Sequence, residues 1–117
     1  MPRLTVLKGT LDVLVLRALS WTPMHGFEIV DWLERAGSGR LDIDDSALYQ
    51  ALYRLEERGL LAADWGVTEN NRRARYYTLT PAGRTFLRAE TKQWMQYAQT
   101  VTTILTAGKD AVPANAT

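Results

Sequence analysis

The sequence predicts a mainly α-helical protein with one small β-hairpin. Apolar residues recur at spacings of three and four along much of the 117-residue chain, which is the period of an amphipathic helix. Two stretches of β-favouring residues flank the turn signal Asn70-Asn71. Thr80-Pro81 then starts a further helical pattern, because threonine caps helices well and proline suits the first helical position. The length fits a single domain with a modest core.

The first two helices are predicted before residue 37. Apolar spacing places one from about residue 8 to residue 20, ended by Pro23, and the second from His25 to about Ala36. Gly37-Ser38-Gly39 closes the second helix, since these residues tolerate positive φ. Its inward-facing residues are predicted to be Phe27, Ile29, Val30 and Leu33.

A third helix is predicted to begin within residues 44–46 and to end at Arg58, before Gly59. Each residue advances about 100° around a helix axis, so Leu48, Leu52 and Leu55 share one face and should build the core. The opposite face needs another explanation, because it is polar and aromatic. Ser46, Gln50 and Tyr53 lie there, with Tyr49 and Arg54 on its flanks.

The hairpin is predicted from residue 60 to residue 79. A two-residue loop of Asn70-Asn71 would place Trp65 opposite Tyr76 and Val67 opposite Ala74. Cross-strand pairs of this kind fix the register of a hairpin.

Charge is distributed unevenly, although the formal net charge is only +1. Residues 72–88 hold five arginines and no acid, whereas acids are frequent just upstream. A basic stripe beside a polar helix face is typical of nucleic-acid binding, and a solvated hairpin tip is the alternative. The arginines nearest the predicted turn are Arg72, Arg73 and Arg75.

A long last helix is predicted from Pro81 to about Thr106. At about 1.5 Å per residue it spans about 40 Å, more than a compact domain of this size covers. Its apolar seam should therefore pack against a second copy of the chain. The predicted dimerisation residues are Leu87, Trp94, Tyr97, Val101, Ile104 and Leu105.

Several function classes are disfavoured by composition. The chain has no cysteine, which removes disulfides, thiolate metal sites and cysteine nucleophiles. The single histidine, His25, makes a poor metal site and completes no visible catalytic triad, so we expect no enzyme activity, no metal and no cofactor. No apolar run reaches the roughly 20 residues of a membrane span, and we expect a cytoplasmic protein.

Four blocks carry a family resemblance: LKGTLDVLVLRAL, PMHGFEI, ALYQALYRLEERGLL and RRARYYTLTPAGR. Together they resemble the PadR family of bacterial transcriptional regulators over about residues 4–90, in the short form with a single C-terminal dimerisation helix. The resemblance implies a winged helix-turn-helix DNA-binding domain over 1–80, a dimerisation helix over 81–107 and a disordered tail over 108–117. One departure is Gln50, where many relatives have proline. Glutamine can pair with an adenine edge, so we expect a different operator preference.

The implied function is repression by a homodimer on a palindromic operator in double-stranded DNA. Trp94 and Tyr97 either pack in the dimer seam or line a pocket for a small planar aromatic effector. The alternative function is a winged-helix protein-interaction module without DNA binding, which docks another protein through its last helix. The implied DNA contacts are Ser46, Tyr49, Gln50, Tyr53 and Arg54 at the major groove, and Arg72, Arg73 and Arg75 at phosphates or the minor groove.

Overall fold

The computed structural model describes residues 2–114 and confirms the predicted fold class: four α-helices and a two-stranded antiparallel hairpin. The hairpin of β3 and β4 is called the wing below. The elements in chain order are β1 (Leu4–Thr5), α1 (Thr10–Ala18), α2 (Gly26–Ala36), β2 (Leu41–Asp42), α3 (Asp45–Glu57), β3 (Leu61–Val67), β4 (Arg73–Leu79) and α4 (Pro81–Leu105).

The later helices begin at side chains that satisfy free backbone N–H groups. His25 Nδ1 accepts from the Glu28 N–H while Glu28 Oε1 accepts from the His25 N–H, which makes a capping box for α2. Asp44 Oδ2 accepts from the Ala47 N–H at 3.0 Å and starts α3. Thr80 Oγ1 accepts from the Gly83 N–H at 3.0 Å and starts α4. The single histidine therefore has a structural role.

The core lies where the first three helices meet. Leu48, Leu52 and Leu55 of α3 are completely buried, as their spacing predicts. They belong to one apolar cluster with Leu16 of α1 and Ile29 of α2. Burying a side chain of this size is worth about 1.5–3 kcal/mol, so this cluster fixes the orientation of α3.

Phe27 is not part of that core, and the prediction that it faces inward is wrong. It is 76% exposed, whereas Ile29 and Leu33 of the same helix are buried. Two residues advance about 200° around a helix, so a side chain two positions before Ile29 points away from the core.

The register of the wing also differs from the prediction. Trp65 pairs with Arg75 and Val67 pairs with Arg73, one residue away from the predicted partners. The Thr68 N–H donates to the Arg72 carbonyl just beyond the ends of the two strands, so the loop proper is the three residues 69–71. The Asn71 N–H donates to the Thr68 carbonyl, and Asn71 has φ of 58°. Asparagine tolerates this left-handed conformation, and a turn followed by such a residue is a common hairpin connection.

Short backbone pairings hold the ends of the helices together. β1 and β2 are parallel, with Leu4 opposite Leu41. Met24, just before α2, exchanges two backbone hydrogen bonds with Tyr77 of β4. The sequence predicted neither pairing, since both join segments that are distant along the chain.

The last helix, α4, leaves the body of the domain. Leu87 is only 6% exposed and lies in the chain's own core cluster. Little of its surface is left for a partner, and its role in dimerisation stays a prediction. Farther along, α4 is largely exposed, and the longest dimension of the described chain is 67 Å.

Beyond α4, a 3-10 turn covers Lys109–Ala111 within the segment predicted as a tail, and residues 115–117 of that segment lie outside the described residues. Among residues 2–114, no helix combines the length and the apolarity that a membrane crossing requires.

Candidate nucleic-acid interface

One face of α3 is exposed along its length. Ser46, Gln50 and Tyr53 are exposed there, opposite the buried leucines. Together with Tyr49 these residues are called the recognition face. It offers hydroxyl, amide and phenol groups, which can both donate and accept hydrogen bonds. Such groups suit the edges of base pairs in the major groove.

Tyr49 lies at the margin of the recognition face, against the start of α2. It is 54% exposed. A β-carbon added to Gly26 would lie 2.5 Å from the Tyr49 hydroxyl and 2.8 Å from its Cζ. Glycine at position 26 therefore gives the Tyr49 ring the space that it occupies.

The wing presents Trp65, Arg73 and Arg75 on one face, as their register requires. Arg73 Cζ lies 4.5 Å from the centroid of the Trp65 ring, so the guanidinium stacks on the indole. Arg72 lies in the connection immediately before β4 and is exposed. Neither Arg72 nor Arg73 has an ion-pair partner among residues 2–114.

Two other predicted DNA contacts are paired with acids from distant parts of the chain. Arg54 Nη2 donates to Asp12 Oδ1 of α1 at 2.8 Å. Arg75 Nη2 donates to Glu56 Oε2 of α3 at 2.7 Å. Sequence reasoning missed Asp12 and Glu56, because no local pattern links residues 42 and 19 positions apart.

An uncharged phenol lies beneath the Arg75 side chain. Tyr77 is 7% exposed, and burial raises its pKa above the ordinary value of 10.0. The nearby Arg75 charge lowers the pKa of Tyr77, while Glu56 and Tyr49 raise it further. Tyr77 is therefore neutral at physiological pH, and the charged groups that act on it are Arg75 and Glu56.

A second feature is an apolar groove of about 620 Å³ between the first residues of the chain, α1 and α4. Trp94, 39% exposed, lines it together with Met95. Tyr97 does not, so the structure separates the two residues predicted for an effector. The sequence did not predict a groove at this place within one chain. Its other lining residues are Leu4, Thr5, Val6, Leu7, Thr10, Val13, Leu14, Arg17, Leu41 and Thr91.

Beyond the groove, α4 exposes large apolar side chains. Tyr97 is 65% exposed, and Ile104 and Leu105 are 67% and 79% exposed. Val101 is partly buried. An apolar surface of this kind on a helix that leaves the domain indicates an interaction site.

Comparisons with known proteins agree with this architecture. A model described as "Transcriptional regulator PadR-like family" matches residues 15–89. A PadR family transcriptional regulator structure from Eggerthella lenta is 33% identical, covers 86% of each chain and has a TM-score of 0.73. A transcriptional regulator structure from Clostridium thermocellum is 25% identical over 81% of this chain and 89% of its own, also with a TM-score of 0.73. A protein X from Lysinibacillus sphaericus is 25% identical over 86% of this chain and 93% of its own length.

Proposed function

The chain belongs to the PadR-like family of transcriptional regulators, and on this premise we propose that it is a repressor that binds a palindromic DNA operator as a homodimer. The observation that carries the proposal is the exposed recognition face of α3 together with two exposed wing arginines, Arg72 and Arg73, that have no ion-pair partner among the described residues. One surface reads bases and the other holds phosphates, which is the usual division of work in DNA recognition.

Base reading is assigned to the recognition face. The first turns of a recognition helix enter the major groove, and Ser46, Tyr49 and Gln50 lie in the first turns of α3. Gln50 can bond an adenine edge through two hydrogen bonds. Tyr53, 65% exposed one turn later, contacts a thymine methyl group or a sugar, and Arg54 lies at the flank.

Phosphate binding is assigned to the wing. Arg72 and Arg73 are exposed, and within residues 2–114 no acid forms an ion pair with either of them. Their positive charges displace counterions from DNA, which supplies affinity that falls with salt. Stacking on Trp65 restricts the Arg73 guanidinium and lowers the entropy lost on binding.

Dimerisation is assigned to the exposed part of α4. Tyr97, Val101 and Ile104 follow each other at spacings of four and three and so share one helix face. Two copies paired through this face would present two α3 helices to one side of the DNA. A palindromic operator requires them about 34–36 Å apart, or a multiple of that distance.

The groove is the candidate effector site. Its volume of about 620 Å³ suits a small organic molecule, since ligand pockets are commonly about 300–1,000 Å³. Trp94 supplies an aromatic surface against which a planar compound can stack. Because α1 and α4 both line the groove, a ligand there would alter their packing and release the dimer from DNA.

The test combines two measurements on the purified chain. Fragments of the DNA upstream of its coding sequence are used in mobility-shift titrations, and the protomer number is measured by light scattering. We expect a dimer that shifts one fragment more strongly than a scrambled duplex. The double variant Arg72→Gln/Arg73→Gln should weaken both complexes, and Lys92→Gln on exposed α4 serves as the charge control. A monomer that shifts no fragment at low salt would contradict the proposal and favour the protein-interaction module.

A further inference from the structure

The pair of Glu56 and Arg75 joins the recognition helix directly to the wing. Glu56 lies in the last turn of α3, and its carboxylate accepts from Arg75 at 2.7 Å. The Arg75 guanidinium also lies over the ring of the buried Tyr77, 6.0 Å from its centroid. Both side chains are only partly exposed, at 46% for Arg75 and 31% for Glu56. The Arg75 side chain is thus held by an acid on one element and by an aromatic ring on another.

The position of this pair along the wing allows it to set the angle between the wing and α3. The root of the wing is fixed at Leu61 and Leu79, which are buried, and at Tyr77, which is buried and exchanges backbone hydrogen bonds with Met24. Arg75 lies two residues beyond Tyr77, about 7 Å at the rise of an extended strand. Arg73, at the exposed end, is about 7 Å beyond it. A contact this far from the root sets the angle between wing and recognition helix, and so sets where Arg73 meets the DNA.

Charge separates Arg75 from its neighbours on the wing. Its positive charge is neutralised by Glu56, whereas Arg72 and Arg73 have no acid partner in the described chain. A neutral pair displaces no counterion from DNA, and moving Arg75 to a phosphate would leave the Glu56 carboxylate unpaired near that phosphate.

We propose that Glu56 and Arg75 are positioning residues, which fix the wing relative to α3, and that Arg75 does not bind a DNA phosphate. This inference rests on the proposed DNA-binding function. Arg72 and Arg73 would then bind phosphates, whereas Arg75, which has a similar sequence context, would hold the wing against α3. Specific binding requires the wing and α3 to engage together, so the anchor contributes to the choice of operator.

The test compares Arg75→Gln with Arg73→Gln, the same change on the same face of the same strand. Affinity is measured against salt for the upstream fragment and for a scrambled duplex of equal length. We expect Arg73→Gln to lower the slope of log affinity against log salt by about 0.9 for each protomer in contact. Arg75→Gln should leave the slope unchanged and reduce the ratio of specific to scrambled affinity by about two- to fivefold, the range expected for a partly exposed ion pair.

The exchange variant Glu56→Arg/Arg75→Glu provides the rescue. It restores an ion pair in reverse, and we expect it to recover most of the specificity ratio. If Arg75 binds phosphate instead, the exchange variant will lose affinity for both duplexes and Arg75→Gln will flatten the slope as Arg73→Gln does. Either result overturns the inference. If the unchanged protein binds neither duplex, the proposed function itself fails. Thermal unfolding shows whether each variant is folded. If Arg75→Gln is unfolded, the exchange variant alone decides whether Arg75 positions the wing or binds a phosphate.

Discussion

Arg54 of α3 donates a hydrogen bond to the carboxylate of Asp12 in α1 at 2.8 Å. The same helix α1 contributes Val13 and Leu14 to the wall of the apolar groove. One short helix therefore contacts both the proposed effector site and the flank of the recognition helix. A ligand that moves α1 would change the position of α3 through this ion pair and the leucine core.

We expect Asp12→Asn to lower the free energy of unfolding by about 0.2–1 kcal/mol. The loss is small because the Arg54 and Asp12 side chains are 53% and 25% exposed, so water screens the pair. Urea unfolding of Asp12→Asn, Arg54→Gln and the double variant, at a fixed protomer concentration, measures the coupling. Additive losses in the double variant would show that the pair contributes nothing to stability.

Gly83→Ala should destabilise the protein by about 1–3 kcal/mol, although alanine is the better helix former. The added β-carbon would collide with the backbone oxygen of Leu60 and lie 2.7 Å from Leu79 Cδ1. The first turn of α4 would then have to leave the root of the wing. Thermal unfolding tests this, with Ala89→Gly on exposed α4 as the control that measures propensity alone. Stabilisation by Gly83→Ala would contradict the close approach.

Asn71→Val should lower stability by about 1–2 kcal/mol, since a β-branched residue is strained at φ of 58°. Asn70→Val is the matched control in the same exposed loop, where φ is not positive, and should change stability by less than about 0.5 kcal/mol. Chemical unfolding distinguishes the two variants. Equal losses would mean that the loop conformation is not what sets the wing register.

Stability should fall as pH rises above about 10, partly because of Tyr77. Burial raises the pKa of Tyr77 in the folded chain, against the smaller lowering by Arg75. The unfolded chain then releases this proton at a lower pH than the folded chain, which favours unfolding in alkali. Tyr77→Phe removes this contribution. Urea unfolding between neutral pH and pH of about 11 should show a shallower decline for Tyr77→Phe, and parallel curves would refute the burial effect.

Gln50→Ala should cost about 1–3 kcal/mol of binding free energy on the preferred operator and leave binding to a scrambled duplex unchanged. The amide is expected to pair with one base, so its loss relaxes the preference at one position of each half-site. Competition titrations with single-base operator variants measure this. Gln96→Ala, the same change on exposed α4, is the control. A uniform loss on every sequence would remove Gln50 from base reading.

The sequence predicted the features that depend on neighbours along the chain. Leu48, Leu52 and Leu55 are buried as helical spacing requires, and Thr80 caps α4 as its side chain and the following proline suggest. The register of the wing was missed by one residue because Glu69 also belongs to the loop, which Asn71 closes in a left-handed conformation. The buried leucines and the Thr80 cap follow from residue spacing and residue type. The wing register depends on the left-handed backbone conformation of Asn71, which residue types alone do not specify.

The partners of the arginines could not be predicted in the same way. Asp12 reaches Arg54, and Glu56 reaches Arg75, only after the helices and the wing have packed together. A count of nearby charges along the chain therefore treats Arg72, Arg73 and Arg75 as equivalent. Folding makes them different, because an acid on another element neutralises only one of the three.

The contact of Tyr49 with Gly26 has a consequence for how such a regulator can diverge. A first β-carbon at position 26 would push the phenol aside, although position 26 lies outside the recognition helix. Under the proposed function, in which Tyr49 contacts DNA, a substitution at position 26 of α2 would alter the choice of DNA site while every residue of α3 stays the same. Conversely, a smaller residue at position 49 would leave room for a side chain at position 26. We therefore expect substitutions at positions 26 and 49 to occur together.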